Sequence, residues 1–223
     1  MPTLGDLKAK VASDLRRTNL TAEIADAVLD AINDHDTEEF WWNGTGPTVY
    51  TLTISPGGGS GTTGPGNSAA GDIYQLTPQP PIQEFVRIDE VRALLPGVWY
   101  SLKSTDWSTI ENLYSTLSNG QPSWWAYSGG YLRIYPIPSQ SYDLRIFGQY
   151  RLPPLVLDSD SNEWTNQGFN LIRYTALKRL YTYPVRDAAQ VQNADQAGQR
   201  ALDYLRRETE RRARQGRMAA YYG

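Results

Sequence analysis

Apolar residues recur every three or four positions at both ends of the chain and every second position in its middle. That pattern predicts helices flanking a β-rich centre. In TLGDLKAKVASDLRR, Leu4, Leu7, Val11 and Leu15 fall on one helical face, Thr3 stands in cap position, and Asp6 occupies the reciprocal place of a capping box. The first helix is predicted over 3–17. After a break from Arg17 to Leu20, a second helix is predicted over 21–38, capped by Thr21 and striped by Ile24, Ala27, Val28, Ala31 and Ile32. Toward the other end, Leu171, Ile172, Ala176, Leu177 and Leu180 mark a helix over 166–182, which Pro184 closes. A longer helix over 187–205 starts at Asp187 and carries Val191, Ala194, Ala201, Leu202 and Leu205.

Between these, residues 40–152 read as extended. TVYTLTIS, FVRIDEV and WWAYS mix β-branched and aromatic residues in the manner of strands, while STDWSTIENLYSTL reads as a short helix capped by Ser104 or Thr105 and ending at Asn119-Gly120. In GGYLRIYPIPSQSYDLRIFGQY, Leu132 and Ile134 alternate with Tyr131, Arg133 and Tyr135, and Leu144, Ile146 and Tyr150 alternate with Asp143, Arg145 and Gln149. The segment therefore reads as two strands folded back on a polar turn, with one core face and one amphipathic face. Pro136 and Pro138 lack donors, so they are expected to end the ladder and discourage edge pairing. PGGGSGTTGPGNSAAG, residues 56–71, is expected to be a mobile loop. It fails as a phosphate-binding loop because Pro65 stands where lysine is required. The predicted class is α+β: a mainly helical body, made of an N-terminal helical hairpin and long C-terminal helices, with an inserted small antiparallel β meander. One domain is expected over 1–205, followed by a basic tail over 206–223.

Composition removes chemistry from this outline. The 223 residues include no cysteine and one histidine, His35, so thiolate nucleophiles, thiolate zinc sites and histidine-based triads have nothing to build on. No catalytic residue, metal ligand or cofactor site is predicted. No run approaches the roughly 18 apolar residues of a membrane helix, and the N-terminus lacks a signal-peptide core, so a soluble chain without a membrane partner is expected. A net charge of −3 argues against generic DNA binding. The 7 Trp and 15 Tyr against 4 Phe favour rings that keep a polar atom, which suit interfaces as well as cores.

Charge is distributed in two opposed patches. Asp26, Asp30, Asp34 and Glu38 stack at intervals of four on the second helix, where like charges repel by a few tenths of a kcal/mol per pair. They form a solvated face, a contact for another subunit's arginines, or a surface that repels nucleic acid. Beyond Leu205 the apolar stripe stops, and six arginines follow, Arg206, Arg207, Arg211, Arg212, Arg214 and Arg217, then Met218, Tyr221 and Tyr222. Arg207, Arg211 and Arg214 share one side of a helix. Such a polar segment is either a frayed tail or an element that docks on a partner.

This order of features resembles the head-to-tail adaptors of tailed bacteriophages, especially the tail accessory factors of short-tailed phages. The residues that carry the resemblance are LGDLKAKVASDL, LTAEIADAVLDAI running into FWWN, the Gly-x-Leu-x-Ile-x-Pro-x-Pro segment from Gly130 to Pro138, and the passage from NEW to LIRYTALKRLY. The resemblance implies a structural virion protein without enzymatic activity, made in the host cytoplasm and placed in the neck between capsid and tail. It implies a dodecameric ring of self-contacts beneath the portal protein, extending the DNA channel and giving tail or nozzle proteins a docking surface. Genomic DNA would pass without sequence-specific binding. The C-terminal arginines, Met218, Tyr221 and Tyr222 would then contact the portal or a neighbouring subunit, the acidic stripe would face the lumen or a neighbour, and Tyr131, Arg133, Tyr135 and Arg145 would form a tail-facing or inter-subunit β surface. The Gly-rich run departs from the family's pattern.

Two other functions are compatible with the residues. Trp41, Trp42, Trp124 and Trp125 could stack on sugars in a carbohydrate-binding, tail-associated module. A cell-wall hydrolase could pair two carboxylates from Asp34, Asp36, Glu38 and Glu39, a chemistry that needs a separation of roughly 5 to 9.5 Å.

Overall fold

The computed structural model describes residues 1–17, 19–44, 50–55, 72–79, 82–95, 97–113 and 119–221, with side chains as far as Arg214. The Gly-rich run 56–71 lies outside the described residues. In chain order the elements are α1 (Leu4–Leu15), α2 (Thr21–His35), β1 (Tyr50–Ile54), β2 (Ile73–Gln75), β3 (Glu84–Leu95), β4 (Val98–Ser101), β5 (Lys103–Ser104) and α3 (Trp107–Leu113). They continue with β6 (Asn119–Gly120), β7 (Trp124–Ser128), β8 (Tyr131–Tyr135), β9 (Ile137–Pro138), β10 (Tyr142–Arg151), α4 (Glu163–Asn166), α5 (Phe169–Thr182) and α6 (Ala188–Tyr221). The fold is α+β, as the periodicities predict. The chain divides into a helical unit, 1–42 with 152–223, and a β unit, 43–151.

In the helical unit α1 starts on a complete capping box. The Thr3 hydroxyl accepts from the Asp6 backbone N–H at 3.2 Å, and the Asp6 carboxylate accepts from the Thr3 N–H at 2.9 Å. Leu4, Leu7, Val11 and Leu15 are all buried. α2 buries Ile24, Ala27, Val28 and Ala31, but Thr21 does not cap it: the flanking position belongs to Leu20, and no side chain accepts there. The helix ends at His35 rather than 38, since the chain turns at 36–38 toward the aromatic run.

That run anchors the unit. Phe40 stacks on Trp42 with centroids 4.7 Å apart, and Trp164 meets both rings edge-on at 5.8 and 5.7 Å. Trp164 belongs to α4, which Asn162 caps through its side chain at 2.9 Å from the Trp164 N–H. The helix expected over 166–182 is α5, starting at Phe169, and the short α4 precedes it as a separate turn that ends before Gly168. A Cβ added there would lie 3.0 Å from the Trp164 ring and 3.1 Å from its carbonyl, so glycine favours this close turn and a larger residue would push the ring back by a few tenths of an ångström.

α5 packs along α6, burying Leu171, Ile172, Ala176, Leu177 and Leu180 from one side and Ala194, Leu202 and Leu205 from the other. α6 continues without a break through Arg206 to Tyr221, so the expected tail is the end of a helix and no separate segment. Its own charges support it: Glu208 accepts from Arg211 at 2.5 Å and Arg212 at 2.8 Å, and Glu210 lies 3.7 Å from Arg214.

Among the described residues the β unit holds two four-stranded sheets, ordered β1-β10-β3-β4 and β2-β8-β7-β5, with a two-stranded pair β6-β9. Pairing is antiparallel except for the short β5-β7 and β6-β9 ladders. β7 and β8 join through Gly129-Gly130, both at positive φ (55° and 84°), which is what a two-residue hairpin turn with the right twist demands. The hairpin expected over 129–150 does not form. β8 has β7 on one side and β2 on the other, so it has no edge to offer, and β10 pairs with β1 and β3 in the other sheet. Pro136 does end the β8 ladder, but Pro138 lies within β9, opposite Gly120.

β10 and β3 pair over most of their length, with register shifts at Phe147/Gly148 and Gln149/Tyr150. A Cβ on Gly148 would fall onto the Arg87 carbonyl oxygen and within 2.8 Å of Ile88 Cα. The short helix α3 begins at Trp107, later than Ser104 or Thr105 would cap, because Ser104 is already paired in β5. Asn119-Gly120 forms β6 rather than a helix end.

Candidate functional site

The acidic face of α2 is a seam for arginines of its own chain. Arg179 of α5 donates to Asp30 at 2.8 Å and to Asp34 at 2.6 and 2.7 Å, a fork geometry that guanidinium suits. Glu38 accepts from Arg206 of α6 at 2.9 Å and lies 3.2 Å from His35 Nδ1, whose Nε2 is 3.3 Å from the Thr175 hydroxyl. Of the four predicted acids, only Asp26 is exposed without an ion pair among the described residues. Periodicity carries no sign of this pairing because Arg179 lies 145 residues beyond Asp34.

The arginines of α6 divide in the same way. Arg206 is held by Glu38, and Arg211 and Arg212 by Glu208, whose pKa is lowered to about 2 by hydrogen bonds first from Arg211 and then from Arg212. Arg212 also lies over the Trp41 ring, 4.4 Å from its centroid. Arg207 is exposed with no ion pair among the described residues, and Arg214 is exposed beside Glu210. The side chains of Arg217, Met218 and Tyr221, and all of Tyr222, lie outside the described residues.

In the β unit the predicted surface residues separate. Arg133 is buried, 4% exposed, and donates to the wholly buried Asp72 at 2.9 Å and to Glu111 at 2.5 Å, with the Trp107 ring 5.3 Å away. Burial opposes its charge, but the hydrogen bonds to Glu111 and Asp72 outweigh this and raise its pKa. It cannot belong to an exposed face, because β8 is an interior strand buried on both sides. Tyr131 and Tyr135 are half-buried in β8, whereas Arg145 is exposed on β10, its guanidinium 4.2 Å from the Trp99 centroid. Burial therefore takes Arg133 out of the surface expected for these four residues. Sequence reasoning missed Asp72 and Glu111, which lie 61 and 22 residues from Arg133.

The tryptophans proposed for sugar stacking are engaged otherwise. Trp42 and Trp125 are buried, Trp41 meets Trp42 at 78° under Arg212, and Lys103 lies 5.2 Å from the Trp124 centroid. Of the acids weighed for hydrolysis, Asp34 and Glu38 are committed to arginines. Among the described residues no group of three or more His, Asp or Glu could hold a metal ion, and no helix is long and apolar enough to cross a membrane.

What the geometry offers is a set of charged helical faces and one polar helix end. Such surfaces suit assembly. A family model described as SU10 adaptor protein matches residues 2–220. The chain belongs to this family of phage head-to-tail adaptors. No curated protein matches the sequence. As an SU10 adaptor the chain has a structural role in the phage particle.

Proposed function

We propose that this adaptor forms a ring beneath the portal protein in the virion neck, extends the DNA channel, and offers tail or nozzle proteins a docking surface. The observation that carries the reading is the end of α6. The helix continues from Arg206 to Tyr221 after its apolar stripe stops, a further length of roughly 24 Å. A polar helix of that length has no core of its own to cover, which supports a docking role.

The ion pairs refine which side chains reach the partner. On this reading Arg206, Arg211 and Arg212 are committed within the chain, Arg207 is left for the portal, and Arg214, held only at 3.7 Å by the exposed Glu210, is the next most available, followed by Arg217, Met218, Tyr221 and Tyr222. The acidic stripe is largely neutralised by Arg179 and Arg206, which leaves Asp26 as the acid for a lumen or a neighbouring subunit. With a net charge of −3, the ring would let DNA slide without a sticky site.

The test is attachment to purified portal rings of the same phage, followed by sedimentation with and without the portal. Arg207→Glu combined with Arg214→Glu should weaken attachment at least tenfold while leaving the unfolding midpoint unchanged. Normal attachment of that variant would remove α6 as the docking element. Wild-type protein that never joins portal rings would remove the ring itself.

A further inference from the structure

Val156 and Leu157 are 73% and 63% exposed in the turn before α4, and hydrogen bonds hold them there. The Asp160 carboxylate accepts from the backbone N–H groups of Val156 at 2.8 Å and Leu157 at 2.7 Å, and Asp160 N–H donates to the Leu157 carbonyl at 2.9 Å. The turn is fastened to the start of α1. Leu4 N–H donates to the Asp160 carbonyl and Gly5 N–H to the Asp158 carbonyl, both at 2.9 Å, while Lys8 reaches the Asp158 carboxylate at 2.8 Å. Gly5 favours this approach, since a Cβ there would sit 3.1 Å from the Asp158 carbonyl oxygen and 3.2 Å from its Cβ, and the turn would have to give by a few tenths of an ångström. A slack turn could lay two aliphatic side chains against the protein. A braced turn keeps them in water, which is unfavourable unless another surface covers them.

In the same unit α5 and α6 leave a groove of about 360 Å³, where Tyr174, Ala201 and Tyr204 form an apolar stretch bordered by the polar Gln167, Asn170 and Arg200. Tyr204 is 67% exposed, and Arg200 is exposed with no ion pair among the described residues. Asp158, beside Leu157, keeps 72% of its side chain exposed while holding Lys8. The two aliphatic side chains thus match the apolar stretch of the groove, and Asp158 matches the Arg200 on its border.

We propose that the Val156–Leu157 turn of one copy seats in the α5–α6 groove of the next copy, with Asp158 meeting Arg200. This rests on the ring reading given above. A ring of identical chains needs a heterologous contact, two different and complementary patches on every subunit, and these two patches share no residue. A braced turn also loses little freedom on binding, so more of its apolar contact appears as affinity.

The chain has no cysteine, so a pair placed by substitution reports this contact alone. Leu157→Cys with Ala201→Cys, assembled on portal rings and oxidised, should run on a denaturing gel as a ladder of covalent adaptor multimers. Leu157→Asp should lower ring formation at least tenfold with its unfolding midpoint unchanged. Portal-bound rings of normal stoichiometry that yield only monomer overturn the contact and leave the ring reading intact. Cross-links to portal protein also overturn it and make the portal the occupant of one patch. Wild-type chains that never form a ring overturn both.

Discussion

Arg133 and Arg179 each hold two carboxylates, one inside the β unit and the other on the surface of the helical unit. The chemistry is the same but the solvent is not. Around Arg133, Asp72 is wholly buried, so neither charge can recover its hydration if the other is lost. Around Arg179, Asp30 and Asp34 remain about half exposed, and water takes over when the arginine leaves. The buried set ties β8 to the residue before β2 and to α3, and the exposed set offsets the repulsion along one helix face.

The largest break in this comparison comes from Arg133→Leu. It leaves the Asp72 carboxylate buried without its counter-charge, and unfolding in urea should show a loss of about 3–5 kcal/mol. Replacing both, Arg133→Leu with Asp72→Leu, should recover most of it, because the carboxylate that still loses its partner, Glu111, is 64% exposed and keeps its hydration. A single substitution within about 1 kcal/mol of wild type would mean that the pair carries no such weight.

Gly148→Ala tests whether the β unit is equally intolerant where no charge is involved. The added Cβ meets the Arg87 backbone, which cannot swing aside as a side chain could. The expected cost is about 1–3 kcal/mol by the same urea measurement, and an unchanged midpoint would show that the β3–β10 bulge can move.

The two units also differ in how far they are legible in sequence. In the helical unit every deciding signal is local: the spacing of Leu4, Leu7, Val11 and Leu15, the box formed by Thr3 and Asp6, the stop at Pro184. In the β unit alternation locates β1, β3, β7, β8 and β10 but is silent on partners, since period two has the same form in any sheet order. The hairpin expected over 129–150 fails for that reason, as does the exposure expected for Arg133, whose neighbours Leu132 and Ile134 are also buried. Pairing at long range escapes periodicity altogether. The stripe from Asp26 to Glu38 reads as unpartnered only because Arg179 and Arg206 are far along the chain.

Arg179→Ala should therefore cost far less than Arg133→Leu, about 0.5–1 kcal/mol, and the difference should shrink as salt is added. A loss as large as that of Arg133, or one indifferent to salt, would show that the α2–α5 clamp is effectively buried.

Glu208 supplies the smallest effect and the clearest sign. Its folded pKa, about 2, lies below the ordinary 4.5 because Arg211 and Arg212 hydrogen-bond the charged form. The contribution is complete above pH 4.5 and disappears as pH falls through 2, so acid should loosen this part of α6 while neutral and alkaline pH leave it intact. Both partners lie within one turn on the same helix, where solvent screens them, so the readout is the carboxyl titration followed by NMR rather than global stability. Arg211→Gln with Arg212→Gln should return the midpoint toward 4.5. Were the midpoint to stay near 2 in that variant, the helix backbone or another cation would have to be holding the charge, and Arg211 and Arg212 would join Arg207 and Arg214 as arginines left for the portal.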